Sequence, residues 1–227
     1  MRVSNGARIA GTLLLTVVMA CASAARATPG SPPPAGAAPG NDFDALFRAR
    51  QDSARMRFTA ADVHFVSGMI GHHSQALVMS ALAPSHGASA SVRTLAARII
   101  NAQKDEIALM SQWLHDRRQA VPKVHISGTT MTVDGADHAM HMPGMLTPDQ
   151  IRELDAANGP EFDRLFLTFM IQHHRGAVTM VHDLFAKDGA AQDEQVFKLA
   201  SDIQVDQITE VARMERMLAA MGAGDNR

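Results

Sequence analysis

The chain has 227 residues, 46% apolar and 19% charged, proportions that suit one globular domain or two small ones sharing a core and exclude an intrinsically disordered protein. Its 21 Lys and Arg stand against 23 Asp and Glu. Three of the arginines and none of the acids lie in the first 27 residues, so the remainder carries 18 cations against 23 anions and nucleic acid is excluded as a partner.

Arg2 and Arg8 flank the start of an uncharged apolar run, Ile9 to Ala20, which is too short to span a bilayer and of the right length for a signal peptide. The expected destination is the periplasm or the cell envelope. Two cleavage points fit. Val18, Met19, Ala20 and Cys21 approximate a lipoprotein processing site, with residues 1–20 as leader and a lipid anchor on Cys21. Ala25, Arg26 and Ala27 form a small-x-small site, with residues 1–27 removed. Cys21 is the only cysteine, so no intramolecular disulfide forms on either reading, and a soft metal would have to be held by thioether and imidazole.

Residues 28–41, rich in Pro, Gly and Ala without apolar periodicity, read as a linker. A helical domain is expected over 42–227. Phe43, Leu46 and Phe47 give a short amphipathic helix, and Thr59 with Asp62 fits a capping box for a long helix ending near Ala83. After the break at 84–88, the period of Val92, Leu95, Ile99, Ile107, Met110 and Leu114 predicts a second helix to about Arg117, completing a first hairpin over about 59–117. A crossover over about 118–146 follows, in which Val124 to Val133 could make a small β-hairpin about Gly128. Thr147, Pro148 and Gln150 cap a short helix, Pro160 opens a long one to about Ala186, and the last runs from about Gln192 to Met221, before Gly222. The second hairpin thus covers about 147–221. The fold class is all-α, a four-helix bundle built from two repeated helical hairpins with short extra helices.

The repeat is explicit. Phe65 to Leu82 laid over Phe166 to Asp183 without a gap gives seven identities, among them Met69, Ile70, His72, His73, Ala76 and Met79 against Met170, Ile171, His173, His174, Ala177 and Met180. At about 100° per residue the Met and His of each copy share one helix face. Any one of them alone reads as core filler or a satisfied polar group, but four imidazoles in a bundle are costly to bury without partners, and a metal or a hydrogen-bond network are the candidates. The partner helices repeat too: Gln103, Glu106 and Met110 match Gln207, Glu210 and Met214, and Gln103 and Glu106 either orient the imidazoles or sit on the wet margin of the stripe. The crossover adds Met131, His138, Met140, His141, Met142 and Met145, read as a flexible soft-donor segment or as a plug folded on the bundle. Thioether with imidazole suits Cu(I) or Ag(I), and nitrogen suits Cu(II), so copper is the expected metal.

With these residues in view the chain resembles an exported bacterial family of ferritin-like helical proteins known as domain of unknown function three hundred and five. The resemblance rests on the duplicated Met-Ile-x-His-His cassette and extends over about Ala61 to Met221. It implies a ferritin-like four-helix bundle, copper binding in some members and a role in copper tolerance, with Met69, His72, His73, Met79, Met170, His173, His174 and Met180 as the ligands carried over. The first copy departs from the second at Gly71, where the second has Gln172.

The expected function is therefore copper sequestration or delivery outside the cytoplasm, with a copper exporter or oxidase as a conceivable recipient, and not catalysis. A ferritin-like metal-dependent oxidase is the first alternative, although the Glu-x-x-His ligand pair is missing. A metal-free envelope-stress or interaction module whose histidines respond to protons is the second.

Overall fold

The computed structural model describes residues 40–55, 57–134 and 142–224. The leader, both cleavage points, Cys21, most of the linker, and His138, Met140 and His141 of the crossover lie outside the described residues. The chain divides into two units, Met1–Phe43 and Asp44–Arg227, and apart from the first residues of the first helix the second carries all that follows.

Helix α1 spans Gly40–Arg55, so the last two residues assigned to the linker, Gly40 and Asn41, are helical. Leu46 and Phe47 on it are exposed. Helix α2, Ala60–Ala81, begins at the expected box: Thr59 Oγ1 accepts from the Asp62 amide at 3.2 Å, and the Asp62 carboxylate accepts from the Thr59 amide at 2.7 Å. A turn ending at Gly87, whose φ of +62° suits glycine, leads to Ser89 as N-cap of α3, Ala90–Asp116. Strands β1, Val124–Ser127, and β2, Thr130–Val133, pair antiparallel across Gly128, with Val124 opposite Val133. Helix α4, Pro148–Ala156, carries the second capping box, Thr147 with Gln150. Helices α5, Pro160–Phe185, and α6, Glu194–Gly224, complete the order. α6 continues through Gly222, where the sequence reading stopped it: one glycine inside a helix costs only about 1 kcal/mol and ends it only when the chain turns there.

α2 pairs with α3, α5 pairs with α6, and α2 packs on α5. The apolar core is in two clusters. One joins late α2 (Ala76, Met79), early α3 (Val92, Leu95, Ile99), early α5 (Phe162, Phe166, Met170) and Met214 of late α6. The other joins early α2 (Phe65, Val66, Met69), late α3 (Met110, Trp113, Leu114), late α5 (Ala177, Val181) and early α6 (Val196, Ile203). Each cluster thus takes the first part of one repeat's helix and the last part of the other's, as a pseudo-twofold relation between the hairpins requires.

Two buried carboxylates related by the repeat pin the hairpins together. Asp62 accepts from the Ala191 amide at 2.7 Å, and Asp163 accepts from the Ser89 amide at 3.1 and 3.2 Å. Each spans from the start of one hairpin's first helix to the loop before the other hairpin's second helix. A third, Asp193, accepts from Trp113 Nε1 at 3.1 Å, from Arg117 Nε at 3.2 Å and from Arg117 Nη2, and from the Gln195 and Val196 amides at the start of α6. The acids are buried, and each is satisfied, as a charge in a dry interior must be.

Candidate metal centre

In each cassette the histidines lie in sequence between residues of the two apolar clusters, so the four rings form a polar layer between two oily ones. All four are buried, at 1% exposure or less. Neighbouring helical residues point about 100° apart. That divergence sends one ring of each pair to the α2–α5 contact and the other to the paired helix. His72 and His173 meet across α2 and α5 with ring centroids 3.9 Å apart, tilted by 38°. His73 Nε2 donates to Glu106 of α3 at 2.8 Å, and His174 Nε2 donates to Glu210 of α6 at 2.7 Å.

The acceptors fix which ring nitrogen carries the proton. A carboxylate or a carbonyl only accepts, so Nε2 is the N–H in His73, in His174 and in His72, whose Nε2 donates to the Pro143 carbonyl at 3.0 Å. Nδ1 has no partner in any of the four rings, nor has Nε2 of His173. Buried imidazole lone pairs without donors cost about 1–3 kcal/mol each. A ring held through one nitrogen by a carboxylate or a carbonyl, with the other left bare, is the arrangement in which histidine is presented to a metal. Gln103 and Gln207, one turn before Glu106 and Glu210 on their helices, are also buried; both amide atoms of Gln103 and the oxygen of Gln207 lack partners.

Burial pushes the His72 pKa down to about 3, helped by His73 and His174 and opposed by the bond to Pro143. Burial likewise holds His173 well below the usual histidine range, with His72, His174 and His73 adding to the effect and a contact with the His72 backbone, too poor in geometry to count as a hydrogen bond, opposing it. Both rings are neutral at any ordinary pH and keep a lone pair for a metal. On the α3–α6 side Asp206 is raised, by burial first and then by Glu106, Glu210 and Asp202, which places the two His-bonded carboxylates in one field. Glu106 is thus an orienting acceptor rather than a residue of the wet margin, and its repeat partner Glu210 does the same work. Among the described residues no three His, Asp or Glu side chains already converge as a metal site.

The cassette methionines do not gather at one centre. Met69, Met79 and Met170 are fully buried, Met69 in one apolar cluster and Met79 and Met170 in the other, while Met180 is half-buried at the edge of the cluster holding Met69. Sharing a helix face is not sharing a site: ten residues separate Met69 from Met79, about 15 Å along the axis at 1.5 Å per residue.

Nor is the described end of the crossover a free loop. Met131 lies in β2, half-buried, and Met145 is 8% exposed. Between them and the bundle the backbone is clamped: Gln75 Nε2 donates to the Leu146 carbonyl at 3.0 Å, and the Leu146 amide donates to Gln75 Oε1 at 2.8 Å. Pro143 receives His72, and Gly144, at φ +76°, lies against Gly176 of α5 so closely that a Cβ on Gly176 would stand 2.0 Å from the Pro143 oxygen. Of the two readings of the crossover, its described end from Met142 to Met145 fits the plug folded on the bundle rather than the flexible segment. A sequence signal existed: Gln75 and Gly176 occupy equivalent repeat positions, and a glycine mid-helix marks close backbone approach.

No curated protein matches the sequence. Solved structures do. A DUF305 protein from Streptomyces coelicolor, inferred to be secreted, aligns with TM-score 0.60 and 28% identity over 71% of this chain and 92% of its own. A DUF305 fragment from Deinococcus radiodurans aligns with TM-score 0.60 and 29% identity over 72% and 98%. CopM in its Cu(II)-bound form aligns with TM-score 0.54 and 27% identity over 70% and 96%, and it is also known bound to Cu(I) and to Ag. The sequence profile described as Domain of unknown function (DUF305) matches residues 62–218, and the chain belongs to that family.

Proposed function

We propose that this protein binds copper outside the cytoplasm, to sequester it or hand it on, and that the ion is taken by the layer of four buried imidazoles. The observation that carries the reading is the set of Nδ1 atoms of His72, His73, His173 and His174, all buried and without partners, three of the rings being held at Nε2 by a fixed acceptor. The copper- and silver-bound structures of CopM, at 26–27% identity, support the choice of metal. The apolar leader from Ile9 to Ala20, and the inferred secretion of the Streptomyces relative, support export; a lipid on Cys21 would add an anchor. Binding rather than catalysis is proposed, with a copper exporter or oxidase as the recipient if the metal is passed on.

The test is stabilisation by mass action. At about a hundredfold excess over its dissociation constant, copper should stabilise the folded state by roughly 2.7 kcal/mol, seen as a raised Tm, and the effect should be lost in His72→Leu/His173→Leu. Zinc should raise the Tm less, because nitrogen donors hold Cu(II) more tightly than Zn(II). A Tm unmoved by both Cu(I) and Cu(II) at neutral pH would sink the proposal.

The orienting carboxylates have their own signature. Glu106→Gln and Glu210→Gln keep the shape but remove the charge that polarises His73 and His174, and each should lower copper affinity about 10- to 100-fold. Competition titration against a chelator of known affinity reads this directly. Affinities equal to wild type would show that the two carboxylates serve packing alone.

A further inference from the structure

We propose a second soft-metal site on the surface, a port for Cu(I) or Ag(I) formed by Met142, Met180 and His64 over Gly68; it rests on the copper reading above and adds a place of capture to it. The repeat is broken here. Phe169 in the second copy is 7% exposed and fills the core beside the first apolar cluster. Its counterpart in the first copy is Gly68. The missing aromatic ring is answered by an open cavity of about 420 Å³, lined by His64, Gly68, Met142, Met180, Asp183 and Lys187 among others.

Two thioethers converge on the bare helix surface. A Cβ at Gly68 would lie 3.2 Å from Met142 Sδ and 3.5 Å from Met180 Cε. Met142 comes from the crossover and Met180 from α5, while His64, one turn before Gly68 on α2, is exposed at the same cavity. Met180 packs against the edge of an apolar cluster, but unlike its fully buried repeat partner Met79 it also lines the opening. The charges at the rim, Asp183 and Lys187, offset each other, so the cavity offers little to a hard dication; two thioethers and an imidazole are what a monovalent soft ion takes. The port also touches the buried layer through the chain: Met142 precedes Pro143, whose carbonyl holds His72.

The experiment uses the full mature chain and Ag(I) as probe. Wild type and Met142→Leu/Met180→Leu are titrated by calorimetry, and the His64 ring protons are followed by NMR in wild type. The variant should bind one Ag(I) fewer, and the His64 signals of wild type should move as Ag(I) is added. An undiminished Ag(I) count in a folded variant overturns the port, and so do His64 signals that stay fixed in wild type, a readout that needs no variant. Stabilisation by Cu(I) or Cu(II), measured on the same preparations and expected to survive in Met142→Leu/Met180→Leu, separates the two ideas: its absence with both ions overturns the imidazole layer and leaves the port standing on its Ag(I) count.

Discussion

Below pH 6.5 the metal-free protein should lose stability steadily, about 1.4 kcal/mol for each unit of pH from His72 alone, with His173 adding in the same direction. Folded, both rings are held neutral, His72 down to a pKa of about 3 and His173 also well below the usual range. Unfolded, they return to the ordinary value of 6.5. Between these limits the unfolded state binds the extra protons, so acid favours unfolding; above the unfolded value neither state binds them and the stability is whole. By pH 5 His72 alone removes about 2 kcal/mol, a sizeable part of the 5–15 kcal/mol that holds an ordinary domain together, and His173 adds to it. Asp206, raised by burial and by Glu106 and Glu210, works in the opposite sense on further acidification, but it is one partly buried group against two enclosed ones. Guanidinium unfolding at pH 7.5, 6 and 5 measures the slope, and His72→Leu/His173→Leu should flatten it. Equal unfolding free energies at pH 7.5 and 5 would mean that the two rings are not held neutral. Copper should oppose the acid loss, because a metal at the ring nitrogens competes with the proton.

Much of this architecture is legible in the sequence because it is local or repeated. Thr59 with Asp62 and Thr147 with Gln150 announce helix starts through side chains three residues apart, and both boxes form. The cassettes announce the four buried histidines through identity at a fixed offset. What stays hidden is long-range. Asp62 reads as a cap, but nothing nearby in sequence shows that its other oxygen takes the Ala191 amide. The methionines share a helical face, yet axial distance, which a helical wheel discards, divides them between two clusters. The differences between the copies, Gln75 against Gly176 and Gly68 against Phe169, mark where the symmetry is broken for the crossover and for the port. Only what lies against them, the Pro143–Gly144 backbone at Gly176 and the Met142 and Met180 side chains at Gly68, gives those differences a meaning.

Gly176→Ala should destabilise the protein by about 3 kcal/mol or more and loosen the crossover from the histidine layer. The new Cβ would stand 2.0 Å from the Pro143 oxygen and 2.5 Å from Gly144 Cα, well inside van der Waals contact with backbone that no rotamer change can move aside. The crossover has little room to give, since Gly144 is itself in the left-handed region with its own Cβ position 2.6 Å from the Gln172 oxygen. To relieve the overlap the segment must lift off α5. It then strains the paired hydrogen bonds of Gln75 with Leu146 and the bond from His72 to Pro143, each worth about 0.5–1.5 kcal/mol. Faster exchange of the Leu146 amide and early proteolysis after Val133 should accompany the lowered Tm. Gly222→Ala is the internal control: its Cβ would meet nothing within 4 Å on a helix, and it should leave stability unchanged or raise it by up to about 1 kcal/mol. If Gly176→Ala costs less than about 1 kcal/mol while the Leu146 amide stays protected, the backbone contact with Gly176 is not what seats the crossover. If instead the crossover lifts and copper affinity falls with it, the Pro143 carbonyl is doing for His72 what Glu106 and Glu210 do for His73 and His174: fixing the proton on Nε2 so that Nδ1 stays bare for the metal.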